Sequence, residues 1–489
     1  MMEPCDLTAT EARRLIGARG LSPVELVSSC IARVEAVDHA VNAMVARDFE
    51  RSLGAARDAE TAVMAGGTLG PLHGLPVGVK DLEDTAGLRT TYGSAMFRDH
   101  VPQTDQGLVA AIRSAGGIIF GKTNTPEFGA GANTINAVYG ATGNPFDPLK
   151  SAAGSSGGSA VALATGMVPL ATGSDMGGSL RNPAAFCGIV GMRPSAGLVP
   201  SEKRQLGASG LSVLGPMART VPDLALMLGA IGRYDPRDML AAPLDPLRVG
   251  IVDTGRLRVA FTADFGFAPT SRAVRDLFAA RMAQLAPAFA HAEPATPDCA
   301  GADDAFAVLR AVNFLAGFGA TFRSDPNRLG ANIRANVEEG LGYSAADVAR
   351  AMTIQTRIYQ AWQAFFQRYD VLIAPSVTIA PRPWTELFPA EIDGVATRSY
   401  YHWLALAYAV TLAGHPSLSL PLGRDDNGMP FGVQIITARH TDAMTIAVAA
   451  AIEPIAQADP ALARPIPDIA ALRSMRPLRD TPGFGADIS

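Results

Sequence analysis

The sequence lacks the residue patterns that mark several functional classes. Lysine and arginine form no run or stripe along the 489 residues, and the formal net charge is −5, so nucleic acid is not an expected partner. The seven histidines are scattered singly without an HExxH motif, so no metal site is predicted. The four cysteines form no CxxC pair, which indicates a reducing compartment: they are Cys5, Cys30, Cys187 and Cys299.

Charge is scarce overall, and long apolar runs are also few. Charged residues make up 18% of the chain and hydrophobic residues 48%, which excludes disorder and suits an enzyme with a large core. The first 15 residues have no apolar core of the kind found in signal peptides. Apolar windows such as 403–412 are too short to span a bilayer. We therefore expect a cytoplasmic protein without a membrane partner.

Helical and strand patterns alternate along the chain, which predicts an α/β architecture. Residues 1–65 are predicted to be helical, with capping-box patterns at Thr8–Glu11 and Ser22–Glu25. The best internal boundary is the proline-rich stretch Tyr234–Pro246. Other predicted elements are the strand Leu75–Val79, the helices Gly107–Ser114, Val221–Ile231 and Asp442–Ile455, and the paired strands His415–Pro421 and Phe431–Ile436.

The stretch Ser151–Pro183 carries two clusters of glycine and serine, at Gly154–Gly158 and Asp175–Ser179. A flexible linker would explain that composition, but the residues between the clusters are apolar. Ala160–Ala164 is typical of a buried helix, and Met167–Ala171 of a buried strand. Glycines beside serines on buried elements indicate a backbone that takes positive φ or closely approaches a ligand.

Two familiar motifs match the letters of the sequence but not the expected context. Gly116–Thr123 fits the P-loop pattern, yet its variable positions form the apolar strand themselves, and Pro126 follows where a helix should begin. Gly154-x-Ser156-x-Gly158 fits the nucleophile elbow, but Asn144–Pro148 consists of turn formers rather than a strand. Both motifs are therefore interpreted as coincidental.

A lysine and several serines could carry nucleophilic catalysis. Lys80 follows an apolar strand, whose surroundings would lower the pKa of its amine and make it a base near neutral pH. The backbone N–H groups of Met176–Ser179 have the makeup of an oxyanion hole with a serine attached, and Ser155 could relay a proton. A Ser-His-Asp triad stays open, because Asp370 and His415 are also present.

Together these residues resemble the amidase signature family. The resemblance is carried by Lys80, by GSSGG at Gly154–Gly158 and by GSDMGGSLRNPAAFCGIVGMRPS at Gly173–Ser195. Further matching segments extend the resemblance over most of the chain: GKTNTPEFG, GPMART, HPSLSLPLG and MPFGVQII. The resemblance is weakest across Arg248–Thr397. It implies a single large α/β domain over residues 5–475, with a mixed sheet flanked by helices. A variable substrate-side region at about 248–400 and a C-terminal tail at 476–489 complete the expected organisation.

The resemblance also implies roles for individual residues. Lys80 would be the base, Ser155 the bridging serine after a cis peptide bond, and Ser179 the acylated nucleophile. The oxyanion hole would use the backbone N–H groups of Met176, Gly177, Gly178 and Ser179. Substrate contacts are expected at Gly129, Ala130 and Gly131, and structural bracing of the loop at Asp175 and Arg181. No cofactor is implied, and a homodimer is compatible with the sequence, which does not define the oligomeric state.

The predicted activity is hydrolysis of amide, carbamate or ester bonds in small neutral molecules. The uncharged loop Phe128–Tyr139 and the aromatic stretch Pro381–Trp403 are expected to line the cleft and to favour aryl or apolar substrates. The alternative within the family is the glutaminase subunit of a tRNA-dependent amidotransferase, which Asn182 disfavours because glutamine is expected there. A non-catalytic binding or scaffold protein is disfavoured because all three chemical residues are present.

Overall fold

Helices and strands alternate in the computed structural model, which describes residues 3–243 and 247–485. The helices are α1 (Ala9–Gly17), α2 (Pro23–Val41), α3 (Phe49–Met64), α4 (Gly107–Ser114), α5 (Gly157–Ala164), α6 (Arg181–Cys187), α7 (Val221–Ile231), α8 (Arg272–Leu285), α9 (Ala302–Ser324), α10 (Ala331–Gly342), α11 (Ala345–Phe365), α12 (Ala405–Ala413), α13 (Asp442–Ala458) and α14 (Ile469–Ser474). The strands are β1 (Met44–Arg47), β2 (Pro76–Lys80), β3 (Ile118–Thr123), β4 (Ile135–Asn136), β5 (Gly140–Ala141), β6 (Gly143–Asn144), β7 (Asp147–Ser151), β8 (Leu170–Asp175), β9 (Val190–Arg193), β10 (Val213–Ala218), β11 (Arg258–Phe261), β12 (His291–Pro294), β13 (Val371–Pro375), β14 (Glu391–Ile392), β15 (Val395–Ala396), β16 (Ser417–Arg424) and β17 (Pro430–Ile436). The predicted α/β class is confirmed.

One mixed sheet of eleven strands runs through the molecule in the order β1-β3-β2-β8-β10-β9-β16-β17-β13-β11-β12. β2 is parallel to β3 and β8. β16 and β17 form the predicted pair, and the pairing is antiparallel. Strands from both sides of Tyr234–Pro246 join this sheet, so that stretch does not divide the chain into two domains; Pro246 itself lies outside the described residues. The prediction of a single large domain with helices flanking a mixed sheet is confirmed.

The helical N-terminal region contains one strand that the sequence pattern did not reveal. The predicted capping box at Ser22 and Glu25 forms at the start of α2. At the start of α1 only half of the predicted box forms, in which the Thr8 side chain accepts the Glu11 N–H. Asn42 ends α2 in the left-handed conformation, with φ of 53°. The chain then turns into β1, which pairs with β3. The prediction that this whole region is helical is therefore wrong at Met44–Arg47.

Strands β2 and β8 bring two distant segments to one edge of the sheet. They are parallel neighbours, with Val77 opposite Leu170, so their carboxyl ends lie side by side. Lys80 ends β2 and Asp175 ends β8. The strand was predicted at Met167–Ala171, but β8 begins and ends later, at Leu170 and Asp175. The last residues of β8 are small or polar, so a search for apolar runs does not detect them.

The P-loop match is coincidental, as predicted. Three of its four variable positions, Ile118–Phe120, lie in β3, and Glu127–Gly129 after it form a short 3₁₀ turn rather than an α-helix. Lys122 is fully buried, and its ammonium donates to the carbonyl of Glu83 and to Thr85 Oγ1. This lysine therefore fixes the loop after β2 instead of facing a phosphate site.

Helix α9 is the one described helix that is long and apolar enough to cross a membrane by length and composition. The apolar windows considered in the sequence, such as 403–412, did not include this segment. Inside the protein α9 packs against α10 and α11, and Ala305, Phe306 and Phe314 are buried. Its apolar character is accounted for by this packing.

Candidate active site

The Lys80 ammonium lies among hydroxyl groups at the end of β2. The residue is fully buried, and its backbone N–H donates to Thr172 Oγ1 of the neighbouring β8 at 2.9 Å. Its Nζ donates to Ser155 Oγ at 2.7 Å, to Ser156 Oγ at 2.9 Å and to Ser174 Oγ at 3.0 Å. All three acceptors are neutral, so no carboxylate is bonded to this amine.

This setting changes the charge state of the lysine. Burial lowers the pKa of Lys80 to about 7, and the negative charges of Glu83 and Asp175 oppose that shift only in part. A substantial fraction of the amine is therefore neutral at physiological pH. A neutral amine hydrogen-bonded to a serine hydroxyl can accept a proton from it.

Ser155 and Ser156 are adjacent in sequence and both buried, but only Ser155 lines a cavity. The Gly154–Ser155 peptide bond is cis, and Ser155 faces a cavity. Ser156 is fully buried, with its Oγ under the Lys80 ammonium and near the carbonyl of Ser174. A nucleophile at an elbow must be exposed at the tip of a turn, so Ser156 does not fit that role. The segment before it does contain a strand, β7, contrary to prediction, but this strand forms a small hairpin with β6 outside the main sheet.

The loop after β8 presents Ser179 and a row of backbone amides. Gly178 has φ of 105°, and an added Cβ would lie 2.5 Å from Ala407 Cβ, so only glycine suits this position. Its N–H donates to Asp175 Oδ1 at 3.0 Å. Within residues 3–243 and 247–485, the N–H groups of Met176, Gly177 and Ser179 have no hydrogen-bond acceptor. Of the four predicted oxyanion donors, the Gly178 N–H is engaged by Asp175, and the role of the other three stays a prediction.

Asp175 anchors this loop through a buried ionic cluster. Arg181 donates to both of its carboxylate oxygens, at 2.9 and 3.1 Å, and Arg193 donates to its carbonyl at 2.7 Å. Burial opposes ionisation of Asp175, but the two guanidinium groups hold its pKa well below the usual range. The carboxylate also accepts the N–H groups of Gly178 and Leu180, so it fixes both sides of Ser179. This agrees with the bracing role expected for Asp175 and Arg181.

Replacing Arg181 with methionine should cost about 3–5 kcal/mol of unfolding free energy, because Asp175 would remain buried with one of its cations removed. Chemical denaturation of both proteins would measure the difference. Arg350→Met is the matched control, since Arg350 pairs with Asp347 on the surface and its loss should cost under about 1 kcal/mol. Equal stability losses in the two variants would contradict a structural role of the buried cluster.

A cavity of about 130 Å³ opens above the two serines. Ser155, Ser174, Ser179 and the Met176–Gly177 backbone contribute polar groups to its lining. The wall is otherwise largely aromatic or aliphatic: Leu82, Phe128, Phe306, Phe314, Tyr400 and Leu404. A mainly apolar lining with a few polar groups is the arrangement expected for a small-molecule site.

The three predicted substrate-contact residues separate in the structure. Gly129 and Gly131 line the cavity, whereas Ala130 lines the adjacent one and its carbonyl accepts Asn332 Nδ2 at 2.9 Å. The structure therefore brings two of the three residues to the serine cavity, and substrate contact at all three stays a prediction. Gly129 has φ of 73°, and an added Cβ would lie 3.4 Å from Ser155 Oγ. The left-handed backbone at Gly129, with Leu82 Cδ1 only 3.1 Å from an added Cβ, explains why a glycine stands there.

The aromatic residues of the cavity come mainly from outside the stretch Pro381–Trp403, which was predicted to line the cleft. Trp384 and Trp403 are buried in hydrophobic clusters, and of the stretch Pro381–Trp403 only Tyr400 lines the cavity. Helix α9 contributes Phe306 and Phe314 to the wall, and it also places Arg310 in the lining. The prediction that the pocket has little to offer a charged group is therefore wrong at this position.

The alternative Ser-His-Asp triad is not assembled. Asp370 accepts both the Nε and Nη2 groups of Arg258, and His415 Nδ1 bonds the carbonyl of Thr437 at 2.9 Å. Burial lowers the pKa of His415 to about 4, and its ring packs against Trp362. Neither residue lines the serine cavity.

A cluster of metal-ligand types occurs at the N-terminal end of the described chain, at Glu3, Cys5 and Asp6. Arg33 donates to Glu3 at 2.7 Å and to Asp6 at 3.0 Å, which gives both carboxylates a cation. The cluster lies outside the serine cavity. These three side chains are therefore not part of the site formed by the serines and Lys80.

Sequence reasoning missed two groups at the site. Ser174 could have been inferred, because it lies two residues after Thr172 on β8 and thus on the same face of the strand. Arg310 is the only charged residue between Asp304 and Arg323, which is an unusual position in an apolar helix. Phe306 and Phe314 carry no such signal, since aromatic residues at helical spacing are ordinary core residues.

Known proteins share both the sequence pattern and the fold of this chain. The family model described as Amidase matches residues 25–446. The chain belongs to the amidase signature family. It is 32% identical over 467 residues to an acylamidase from Rhodococcus erythropolis, covering 93% of this chain and 97% of that protein.

Other members of the family are comparably similar. A glutamyl-tRNA(Gln) amidotransferase component from Thermosynechococcus vestitus is 33% identical over 473 residues, covering 91% of this chain and 96% of that protein. Among solved structures, a bacterial aryl acylamidase of the amidase signature family superposes with a TM-score of 0.87 at 27% identity, covering 96% of this chain and 99% of that one. This amidase-family chain is thus a hydrolase of amides, while sequence identity alone does not separate acylamidases from amidotransferase components.

Proposed function

We propose that this protein hydrolyses small aryl or apolar amides through an acyl-enzyme on Ser179. The proposal rests above all on the neutralised Lys80 amine, which bonds Ser155 at 2.7 Å in the cavity that also contains Ser179. Lys80 is the base, Ser155 passes the proton, and Ser179 Oγ forms a bond with the substrate carbonyl carbon. The N–H groups of Met176, Gly177 and Ser179 receive the developing oxyanion.

The proton then follows the same path in reverse. The Lys80 ammonium returns it through Ser155 to the leaving nitrogen, so the C–N bond breaks and a neutral amine departs. Water next attacks the acyl carbon, and its proton passes through Ser155 to Lys80. The Lys80 ammonium returns that proton through Ser155 to Ser179 Oγ, so the acyl–oxygen bond breaks and the carboxylic acid is released. No hydrogen bond joins Ser155 to the Ser179 hydroxyl in the described structure, and such contacts commonly tighten only when substrate binds.

Substrate preference is inferred from the lining of the cavity. Its aromatic and aliphatic wall favours aryl or apolar groups, since burying them removes apolar area from water. Esters and carbamates form the same tetrahedral intermediate, so we include them as secondary substrates. The amidotransferase alternative requires binding of free glutamine, whose ammonium would need an acidic partner. None of the described residues lining the cavity is acidic.

The decisive comparison is kcat/KM for a neutral anilide beside free glutamine. We expect the anilide to be preferred by at least about 100-fold, because glutamine would bring an unpaired ammonium into the cavity. Aniline release and glutamate formation would be followed with the same enzyme preparation, with Ser179→Ala as the background control. A clear preference for glutamine would overturn the hydrolase proposal and favour the amidotransferase alternative.

A further inference from the structure

Arg310 occupies a regular position on the inner face of α9. Phe306, Arg310 and Phe314 are spaced by four residues, which places them on one side of the helix. All three line the cavity that contains Ser155 and Ser179. Phe306 also lies near the oxyanion loop, since a Cβ on Gly177 would be 3.3 Å from its ring. The guanidinium therefore belongs to the same enclosed space as the reacting serine.

The Arg310 guanidinium has no polar partner among the described residues. The residue is only 5% exposed, its Nη1 lacks any hydrogen-bond acceptor, and it forms no ion pair within 4.0 Å. Burial lowers the pKa of Arg310 and the negative charge of Glu339 raises it, but Glu339 forms no ion pair with Arg310. The Glu339 carboxylate instead accepts hydrogen bonds from the hydroxyl groups of Tyr343 and Tyr401. Fixing a cation in this position without a counter-ion is costly.

Aromatic rings hold the guanidinium in place without satisfying its N–H groups. Its central carbon lies 4.5 Å from the centroid of Phe314, 4.8 Å from that of Tyr400 and 4.6 Å from that of Tyr401. Burial lowers the pKa of Arg310 to about 10, so the group remains charged at neutral pH. Cation–π contacts stabilise the charge but leave the in-plane donors free for an acceptor.

We propose that Arg310 is a specificity residue that binds a carboxylate carried by the substrate. The inference rests on the proposed amide hydrolysis at Ser179 and names its substrate class: small amides with an aryl or apolar body and one carboxylate. A carboxylate would give the unpartnered N–H groups charge-assisted hydrogen bonds in an enclosed site. The absence of acidic side chains from the described cavity lining favours a monoanion over a zwitterionic amino acid.

Two matched pairs of amides test the assignment, one for each side of the scissile bond. The first compares the mono-para-nitroanilide of glutaric acid with the para-nitroanilide whose acyl chain ends in an isopropyl group of the same shape. The second compares para-acetamidobenzoate with para-isopropylacetanilide. We expect kcat/KM for the carboxylate to exceed that for its neutral isostere by about 30-fold or more in at least one pair. Arg310→Met should abolish this ratio, and Arg310→Lys should restore part of it.

Arg323→Met is the control, because Arg323 is an exposed arginine on the same helix and should leave the ratio as in the wild type. Preference for the neutral member in both pairs, or an unchanged ratio in Arg310→Met, would overturn the proposal. If that variant does not fold, inhibition of the wild type decides: benzoate should inhibit neutral-anilide hydrolysis more strongly than benzyl alcohol, and equal inhibition would contradict the inference.

Failure of the folded wild type to hydrolyse any of the four amides would count against the Ser179 mechanism instead. Calorimetric binding of benzoate by the full chain, lost in Arg310→Met, would then still test Arg310.

Discussion

Replacing Ser179 with alanine should lower kcat by at least about 10³-fold while the protein stays folded, as for other covalent serine catalysts. The reason is that the variant cannot form the acyl bond, although the cavity and the free N–H groups of Met176 and Gly177 remain. Steady-state hydrolysis of an anilide would give the rate. Thermal unfolding would confirm that the loop at Asp175–Ser179 is still held, since the hydroxyl of Ser179 has no hydrogen-bond partner within the described chain.

The acylated residue can be identified directly. An acylating substrate or inhibitor should add its acyl group to Ser179, as read by mass spectrometry of the digested protein. Ser156→Ala is the matched control, because Ser156 is the neighbouring serine in the coincidental elbow motif. Near-normal turnover in folded Ser179→Ala, or an adduct on Ser156, would disprove the assignment.

Replacing Lys80 with methionine should reduce kcat/KM by about 10²–10⁴-fold, the range associated with loss of a positioned general base. Methionine keeps much of the side-chain length and fits a buried site. In the wild type, kcat/KM should be full above pH about 7 and fall as pH decreases through that value. The sign follows because only the neutral amine can accept the proton, and acid converts it to the ammonium.

Single histidine variants serve as controls for the Lys80→Met variant. Each of the seven would be replaced singly by glutamine, and the folded variants assayed beside Lys80→Met. We expect every histidine variant to retain far more activity, since none of these side chains lines the serine cavity. Loss of activity in one folded histidine variant, together with a mild effect of Lys80→Met, would disprove the role of the lysine.

The main elements of the site could be predicted because their determinants are local. The apolar run before Lys80 reveals both a strand and its burial, and therefore a lysine in a dry environment. Glycines near Ser155 and Ser179 indicate positions where a Cβ would collide, as found at Gly178. Such constraints act on a few consecutive residues, so they leave a readable pattern.

The far side of the cavity could not be predicted in the same way. Whether Trp403 or Phe306 faces the serines depends on how α9 and the loop before α12 pack, and both residues look like ordinary core in the sequence. The engagement of the Gly178 N–H by Asp175 likewise depends on the exact turn after β8. The limits 5–475, the variable region at about 248–400 and the tail at 476–489 stay predictions, with residues 486–489 outside the described chain.

Lys80 is surrounded by three neutral hydroxyl groups rather than by a carboxylate, and this determines at which stage of the reaction opposite charges attract. With a neutral amine, the proton path from Ser179 through Ser155 to Lys80 begins without an ion pair. Proton transfer creates an ammonium and an oxyanion together, inside an enclosed and weakly polar space where opposite charges attract strongly. That attraction is absent when substrate first binds and grows only as the tetrahedral state forms. The buried lysine would thus lower the barrier without tightening the hold on unreacted substrate.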